Sequence, residues 1–252
     1  MQFYRVPPLM VLAPISAARS TAPTNRNVDV VLGQISLAYT ATSPLALPHG
    51  ADLRVLFALM THAADDGQVQ VSIPTLLRTA DMGTGGRQHG ALFSALDRLR
   101  DVTYMVQRAP QVLGLPNQFK LVSWAGLAPG GQLHVELSPG LAVQMRGCRA
   151  HPAPRQTLNI PGNALVLYSL LEVLRTLPEG MDTGQWRLPV DATCELLGLP
   201  GRGDNARRSL MSMGAALKTS GSIAKVQVIG RGNSTQLVID DRGPDATVMA
   251  LP

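Results

Sequence analysis

The sequence predicts an α+β chain of two tandem winged helix-turn-helix domains joined by a short linker. Three observations carry this. One order of elements (helix, short strand, helix, Gly-rich turn, helix, β-hairpin) occurs around residues 50–135 and again around 160–240. The copies are collinear: LRVLFALM at 53–60 matches ALVLYSLL at 164–171, an offset of 111 (164 − 53), and GQVQVSIPTLLRTADMG at 67–83 matches GQWRLPVDATCELLGLP at 184–200, an offset of 117 (184 − 67). The difference falls in the loop before each glycine, where LPEGMDT lengthens the second copy, and surface loops tolerate such insertions. Third, RGCRAHPAPRQ at 146–156 carries two prolines and no hydrophobic period, the mark of a linker.

The boundaries that follow are a flexible tail over 1–27, a first module over 28–145, the linker over 146–156, a second module over 157–242 and a C-terminal tail over 243–252. Val28–Tyr39 (VDVVLGQISLAY) reads as one strand leading a sheet. A helix opened by His49 or Asp52 then presents one buried stripe, Leu53, Leu56, Phe57 and Met60, and Asp65-Asp66-Gly67 closes it. Gln68–Ser72 alternates as a strand, and Ser72 caps the next helix with Pro74 just inside it. Beyond the turn 83–86, Leu92, Phe93, Leu96 and Leu99 form the inner face of a third helix. Three alternating segments follow, Val102–Arg108, Gln118–Trp124 and Gln132–Leu137.

In the second module, Asp191–Leu199 reads as the first helix of a helix-turn-helix, ending at Gly198. Asp204 is placed to cap the helix DNARRSLMSMGAALKT, whose Ala206, Leu210, Met213 and Leu217 recur at spacings of a buried face. The opposite side presents Asn205, Arg208, Ser209 and Ser212. Asn and Arg read adenine and guanine edges bidentately, and Ser tolerates close approach to base or phosphate. Arg207 flanks this face. A hairpin, Ile223–Ile229 and Gln236–Asp240, carries Arg231 and Asn233 at a Gly-rich tip suited to a narrow minor groove.

Composition bounds the function. The 252 residues are 45% hydrophobic and have a mean hydropathy of +0.11, enough for well-filled cores. The net charge of +5 is modest, but residues 201–232 hold Arg202, Arg207, Arg208, Lys218, Lys225 and Arg231 against Asp204 alone. Such local excess neutralises phosphates. Only three cations in the chain are Lys, a bias that suits phosphate and guanine recognition and that gene base composition explains equally well. Arg87, Gln88, His89 and Arg98 could face DNA in the first module, but Asp97 and Asp101 share that region, which leaves a dimerisation or scaffold role equally open.

Signals for catalysis are weak. GTGGRQHG at 83–90 lacks the Lys-Ser/Thr ending of a phosphate-binding loop, and the five His never form a His-x-His pair, so a metal-dependent nicking enzyme lacks its metal site. Tyr39, Tyr104 and Tyr168 read as partly buried aromatics. Cys148 and Cys194 stand alone, which argues against a disulfide framework or zinc site and fits a cytoplasmic protein without cofactor. Val6–Ala18 is apolar but broken by Pro7, Pro8 and Pro14 and too short to span a bilayer.

The LRVLFALM and ALVLYSLL helices, the CELLGL run with its Arg-rich following helix, and the strand-rich end of the first module together resemble plasmid replication initiators built from tandem winged helices, across residues 30–240. The resemblance implies that the second module reads repeated origin sequences in the major groove while the first supports dimerisation and extra DNA contact. Asn205, Arg208, Ser209 and Ser212 would then read bases, Arg207, Lys218 and Lys225 would hold phosphates, and Arg231 would enter the minor groove. The expected partners are double-stranded DNA, a second copy of the chain, and a host replication helicase or its loader, with no membrane partner. A winged-helix transcriptional regulator is the alternative within the same chemistry. An origin-nicking enzyme and a protein-interaction adaptor are the alternatives outside it.

Overall fold

Burial that alternates residue by residue along 28–32 and 35–42 begins the architecture. The computed structural model describes residues 3–4, 23–33, 35–49, 52–147, 151–152, 160, 162–175, 184–199, 203–231 and 234–240. After β1 (Phe3–Tyr4), strands β2 (Asn25–Leu32) and β3 (Ile35–Thr42) form an antiparallel hairpin in which Leu32 faces Ile35. The one strand expected over Val28–Tyr39 is therefore two. Gly33 reverses the chain at φ +61°, a left-handed conformation that costs glycine little, and the two-residue connection makes the hairpin tight. The chain is already strand at Asn25–Asn27, inside the stretch read as a tail. Residues 5–22 and 241–252 lie outside the described residues.

The first module continues with α1 (Asp52–His62), β4 (Gln68–Ser72), α2 (Ile73–Thr79) and α3 (Gly86–Asp101). Ser72 caps α2 as expected, its hydroxyl accepting from the Thr75 amide at 3.3 Å with Pro74 in the first turn. Beyond α3, the stretch read as three alternating segments is four strands with two destinations. Strand β5 (Thr103–Arg108) pairs with β3 and with β6 (Gln118–Phe119), extending the hairpin to the sheet β2-β3-β5-β6. Buried Tyr104 anchors that extension, stacked on Phe119 with ring centroids 4.8 Å apart. Strands β7 (Val122–Leu127) and β8 (Gln132–Leu137) instead join β4 in the order β4-β8-β7. Helix α4 (Pro139–Gly147), absent from the sequence expectation, runs into the region read as a linker. Strand β9 (His151–Pro152) then pairs with β1.

The second module repeats the order: α5 (Gly162–Arg175), β10 (Gln185–Pro189), α6 (Val190–Leu197), α7 (Asp204–Thr219), β11 (Lys225–Ile229) and β12 (Gln236–Asp240). Its sheet order, β10-β12-β11, reproduces β4-β8-β7. The protein is thus a mixed α+β chain of helices and small antiparallel sheets, and among the described residues the sheet β2-β3-β5-β6 and α4 have no counterpart in the second module.

The single buried stripe expected of α1 understates its burial: eight of its eleven residues are buried, Val55, Ala58 and Leu59 among them. Helix α1 packs on α2, α3 and β4 of its own module and on α5 of the other, and a helix covered on most sides is apolar around most of its circumference. Helix α5 is likewise buried from Ala164 to Leu174, so one hydrophobic core runs through both modules. Polar contacts reinforce the junction. Helix α6 lies against β2, and the Arg26 guanidinium donates to the carbonyl oxygens of Glu195 and Leu196 at the C-terminus of α6, where the helix dipole favours a cation. Arg54 of α1 donates to the Ile160 carbonyl at 3.0 Å. Tyr39, Tyr104 and Tyr168, expected to be partly buried, are fully so.

Candidate nucleic-acid interface

Helix α7 is amphipathic for a reason legible along its length. At about 100° per residue, Ala206, Leu210, Met213 and Leu217 fall on one face, and all four are buried as expected. Gly214 lies beside them for a steric reason. A Cβ on Gly214 would stand 2.6 Å from Cγ2 of Val226, so glycine is what lets α7 settle on β11. The start of the helix corrects one expectation: the N-cap is Gly203 (φ +70°, ψ −135°), and Asp204 is the first helical residue without capping through its side chain. Glycine alone adopts that backbone conformation readily. Ahead of it, α6 ends at Gly198 in the left-handed conformation, its amide donating to Glu195.

Opposite the buried face, Asn205, Arg208 and Ser212 are exposed along one stripe, and Ser209 stands half-buried at its edge. Arg208 is not free to wander. Its Nη2 donates to Asn205 Oδ1 at 2.8 Å and its Nε to the Asp204 carbonyl at 3.3 Å. Arg207 sits on the flank toward β11, donating to the Val228 carbonyl at 3.4 Å, and exposed Arg231 follows two residues after β11 ends. The Arg207–Val228 contact brings the N-terminal half of α7 to the end of β11 that leads to Arg231.

The two lysines stand elsewhere. Lys218 lies eleven residues beyond Arg207, about 16 Å along the helix. Lys225 begins β11 opposite Asp240, four residues or about 13 Å from the strand end that leads to Arg231. It also alternates with Val226, which packs on α7, so it belongs to the sheet face turned away from that helix. Arg202 and Asn233 lie outside the described residues.

Helix α3 has the same length as α7, 16 residues, and stands 118 positions earlier (204 − 86). Leu92, Ala95, Leu96 and Leu99 are its buried residues, with Phe93 only partly covered. The positions matching Asn205, Arg208 and Ser212 are Arg87, Gly90 and Ser94. Arg87 is exposed, and Gln88 and His89 are half-buried. Arg98 does not face outward: it turns in to the carboxylate of Asp52. Arg100 is held by Asp97 at 3.1 Å and Asp101 at 2.9 Å, so acids and a neutralised cation occupy the C-terminal half of this helix.

The residues that the sequence reading missed are Gly203 and Gly214, signalled only by a glycine before an Arg-rich helix and another within its apolar face. Among the described residues no group of three His, Cys, Asp or Glu could hold a metal ion, and no helix is long and apolar enough to cross a membrane. A cleft of about 620 Å³ lies over the β2-β3-β5 sheet beside Glu195. Its polar side chains are occupied with one another, Thr40 donating to Asn27 at 2.9 Å and Gln107 to Thr40 at 3.1 Å.

No family model matches the chain, and no curated protein matches it. Solved structures share its fold, among them two crystal structures of RctB domains 2 and 3. A crystal structure of selenomethionine derivatives of domains 2 and 3 of RctB superposes with a TM-score of 0.61 at 13% identity, covering 94% of this chain and 99% of that one. A second crystal structure of RctB domains 2–3 gives a TM-score of 0.55 at 13% identity, covering 92% and 96%. The likeness spans both modules of this chain and is one of fold.

Proposed function

We propose that the protein is a sequence-specific binder of double-stranded DNA, built from two winged helix-turn-helix modules, that initiates replication of a plasmid or secondary replicon at repeated origin sites. One observation carries the reading: α7 buries its apolar face and leaves Asn205, Arg208 and Ser212 as an exposed polar stripe, with Arg207 and Arg231 beside it. In this reading α6 and α7 are the helix-turn-helix pair, α7 enters the major groove, and the β11–β12 hairpin is the wing. Asn205, Arg208, Ser209 and Ser212 read base edges. Arg207 contacts phosphate, and Arg231 reaches the minor groove. Lys218 and Lys225 add positive field but stand too far from the tip to share its phosphates. The fold in common with RctB domains 2 and 3 supports two tandem modules acting together.

The first module is the unequal partner. With Asp97 and Asp101 along α3, it serves as a platform for a second copy of the chain, and Arg87 and Gln88 supply DNA contact at the N-terminal end of that helix. Catalysis has no part in this role. Binding to the DNA flanking the gene tests the reading. Tandem repeats beside an AT-rich stretch, bound with a preference that Arg208→Ala removes, are expected. A single palindrome would favour a transcriptional regulator, and absence of DNA affinity would overturn the reading.

A further inference from the structure

We infer that Asn205 and Arg208 act as one reading unit, in which Asn205 is a positioning residue that aims Arg208 at a single guanine. The inference rests on the DNA-binding reading above and narrows the base-reading role given there to Asn205. A guanidinium has five N–H donors and no acceptor. Two are taken by acceptors of the helix itself: Nε–H by the Asp204 carbonyl at 3.3 Å and one Nη2–H by Asn205 Oδ1 at 2.8 Å. Both lie on one edge of the planar group. The free donors are the two on Nη1 and the second on Nη2, so the end-on pair, one N–H from each terminal nitrogen, is what projects. That pair matches the spacing of guanine O6 and N7.

The chemistry also fixes Asn205. Because Arg can only donate, the amide oxygen must face the guanidinium. An Asn that reads adenine needs its own oxygen to accept from N6 and its nitrogen to donate to N7. With one lone pair of that oxygen taken by Arg208 at 2.8 Å, the amide plane is turned toward the guanidinium, which favours aiming its neighbour over reading adenine itself. Side-chain entropy points the same way, because an exposed Arg held at its Nε edge has fewer rotamers to lose on docking. Positions i and i+3 of a helix are the neighbours that permit the contact. The first module has no such pair, since Arg87 and Gly90 occupy the matching positions.

The test is competition binding of the full-length protein and of Asn205→Ala, Arg208→Ala and the double variant to an origin repeat carrying every single base-pair substitution. Both residues are exposed, so the variants fold. Arg208→Ala is expected to flatten preference at one G·C pair, a loss on the order of tenfold or more. Asn205→Ala should weaken preference at that same pair and no other, the double variant should match Arg208→Ala alone, and Asn205→Asp, which keeps an acceptor, should restore the profile. Loss of preference at a separate A·T pair on Asn205→Ala, or a double variant whose losses multiply, would overturn the pairing and leave the DNA-binding reading intact. A wild-type protein without sequence preference would overturn that reading itself.

Discussion

Arg98 closes its Nε and Nη2 on the two carboxylate oxygens of Asp52, each at 2.7 Å, and so fastens α3 to the N-terminus of α1. Asp52 is only 3% exposed and also accepts from the His49 amide at 2.8 Å. A carboxylate this buried is stable only while its partners remain. Arg98→Ala should therefore cost about 3 kcal/mol, the low end for breaking a buried pair because Arg98 keeps some contact with water. Denaturant unfolding measures it. A loss below about 1 kcal/mol would mean the pair is solvated like an ordinary surface ion pair.

Gly214 predicts a steric effect in the second module. A methyl there meets both Cγ atoms of Val226, at 2.6 and 2.7 Å, and must push α7 off β11. Gly214→Ala should destabilise by about 1–3 kcal/mol despite the better helix propensity of alanine. Adding Val226→Ala, which removes both colliding methyls, should recover part of that loss. Losses that simply add would show that the two residues do not meet.

Legibility in the sequence followed the range of the interaction. The faces of α7 were readable because periodicity is local, and Ala206, Leu210, Met213 and Leu217 are buried as the spacing requires. The Ser72 cap was readable for the same reason. What escaped depends on partners distant in the chain. Arg98 looked exposed until Asp52, 46 residues away, claimed it. Strand β5 looked like the first of three consecutive alternating segments because nothing local says that Thr103 faces Thr42. The extensive burial of α1 was hidden because part of its cover comes from α5, in the other module. For the candidate interface, residue types were visible, but the contact of Arg208 with Asn205 and the remoteness of Lys225 required three dimensions.

Alkaline pH should unfold this protein through its buried acids. Burial lifts the Cys194 thiol from 9.0 to about 11 and the Tyr39 phenol from 10.0 to about 12, and it raises Tyr104 as well. Groups held neutral in the folded state bind protons more tightly there than in the unfolded chain. Their contribution is intact below pH 9 for Cys194 and below pH 10 for Tyr39, and is lost as pH climbs to the folded values. Each accounts for on the order of 3 kcal/mol across its window. Tyr39→Phe should reduce the loss measured between pH 10 and 12. The Tyr39 hydroxyl has no hydrogen-bond partner among the described residues, so this variant should also gain about 1 kcal/mol at pH 7. Destabilisation at pH 7 would mean that the hydroxyl is satisfied.

The salt dependence of DNA binding should separate Arg207 from Lys225, although charge counting alone treats them as equals. Each phosphate contact contributes a slope of about −0.9 to log K against log salt. Arg207 lies on the flank of α7 beside Val228, near the end of β11 that leads to Arg231. Arg207→Gln should therefore lower affinity for all sequences alike and reduce the magnitude of the slope by about 1. Lys225 pairs with Asp240 at the other end of β11, on the sheet face turned away from α7. Lys225→Gln should leave the slope unchanged and lower affinity less than twofold, through the screened field alone. Equal slope changes for the two variants would place the DNA across the sheet rather than along α7, and the assignment of α7 to the major groove would fall with them.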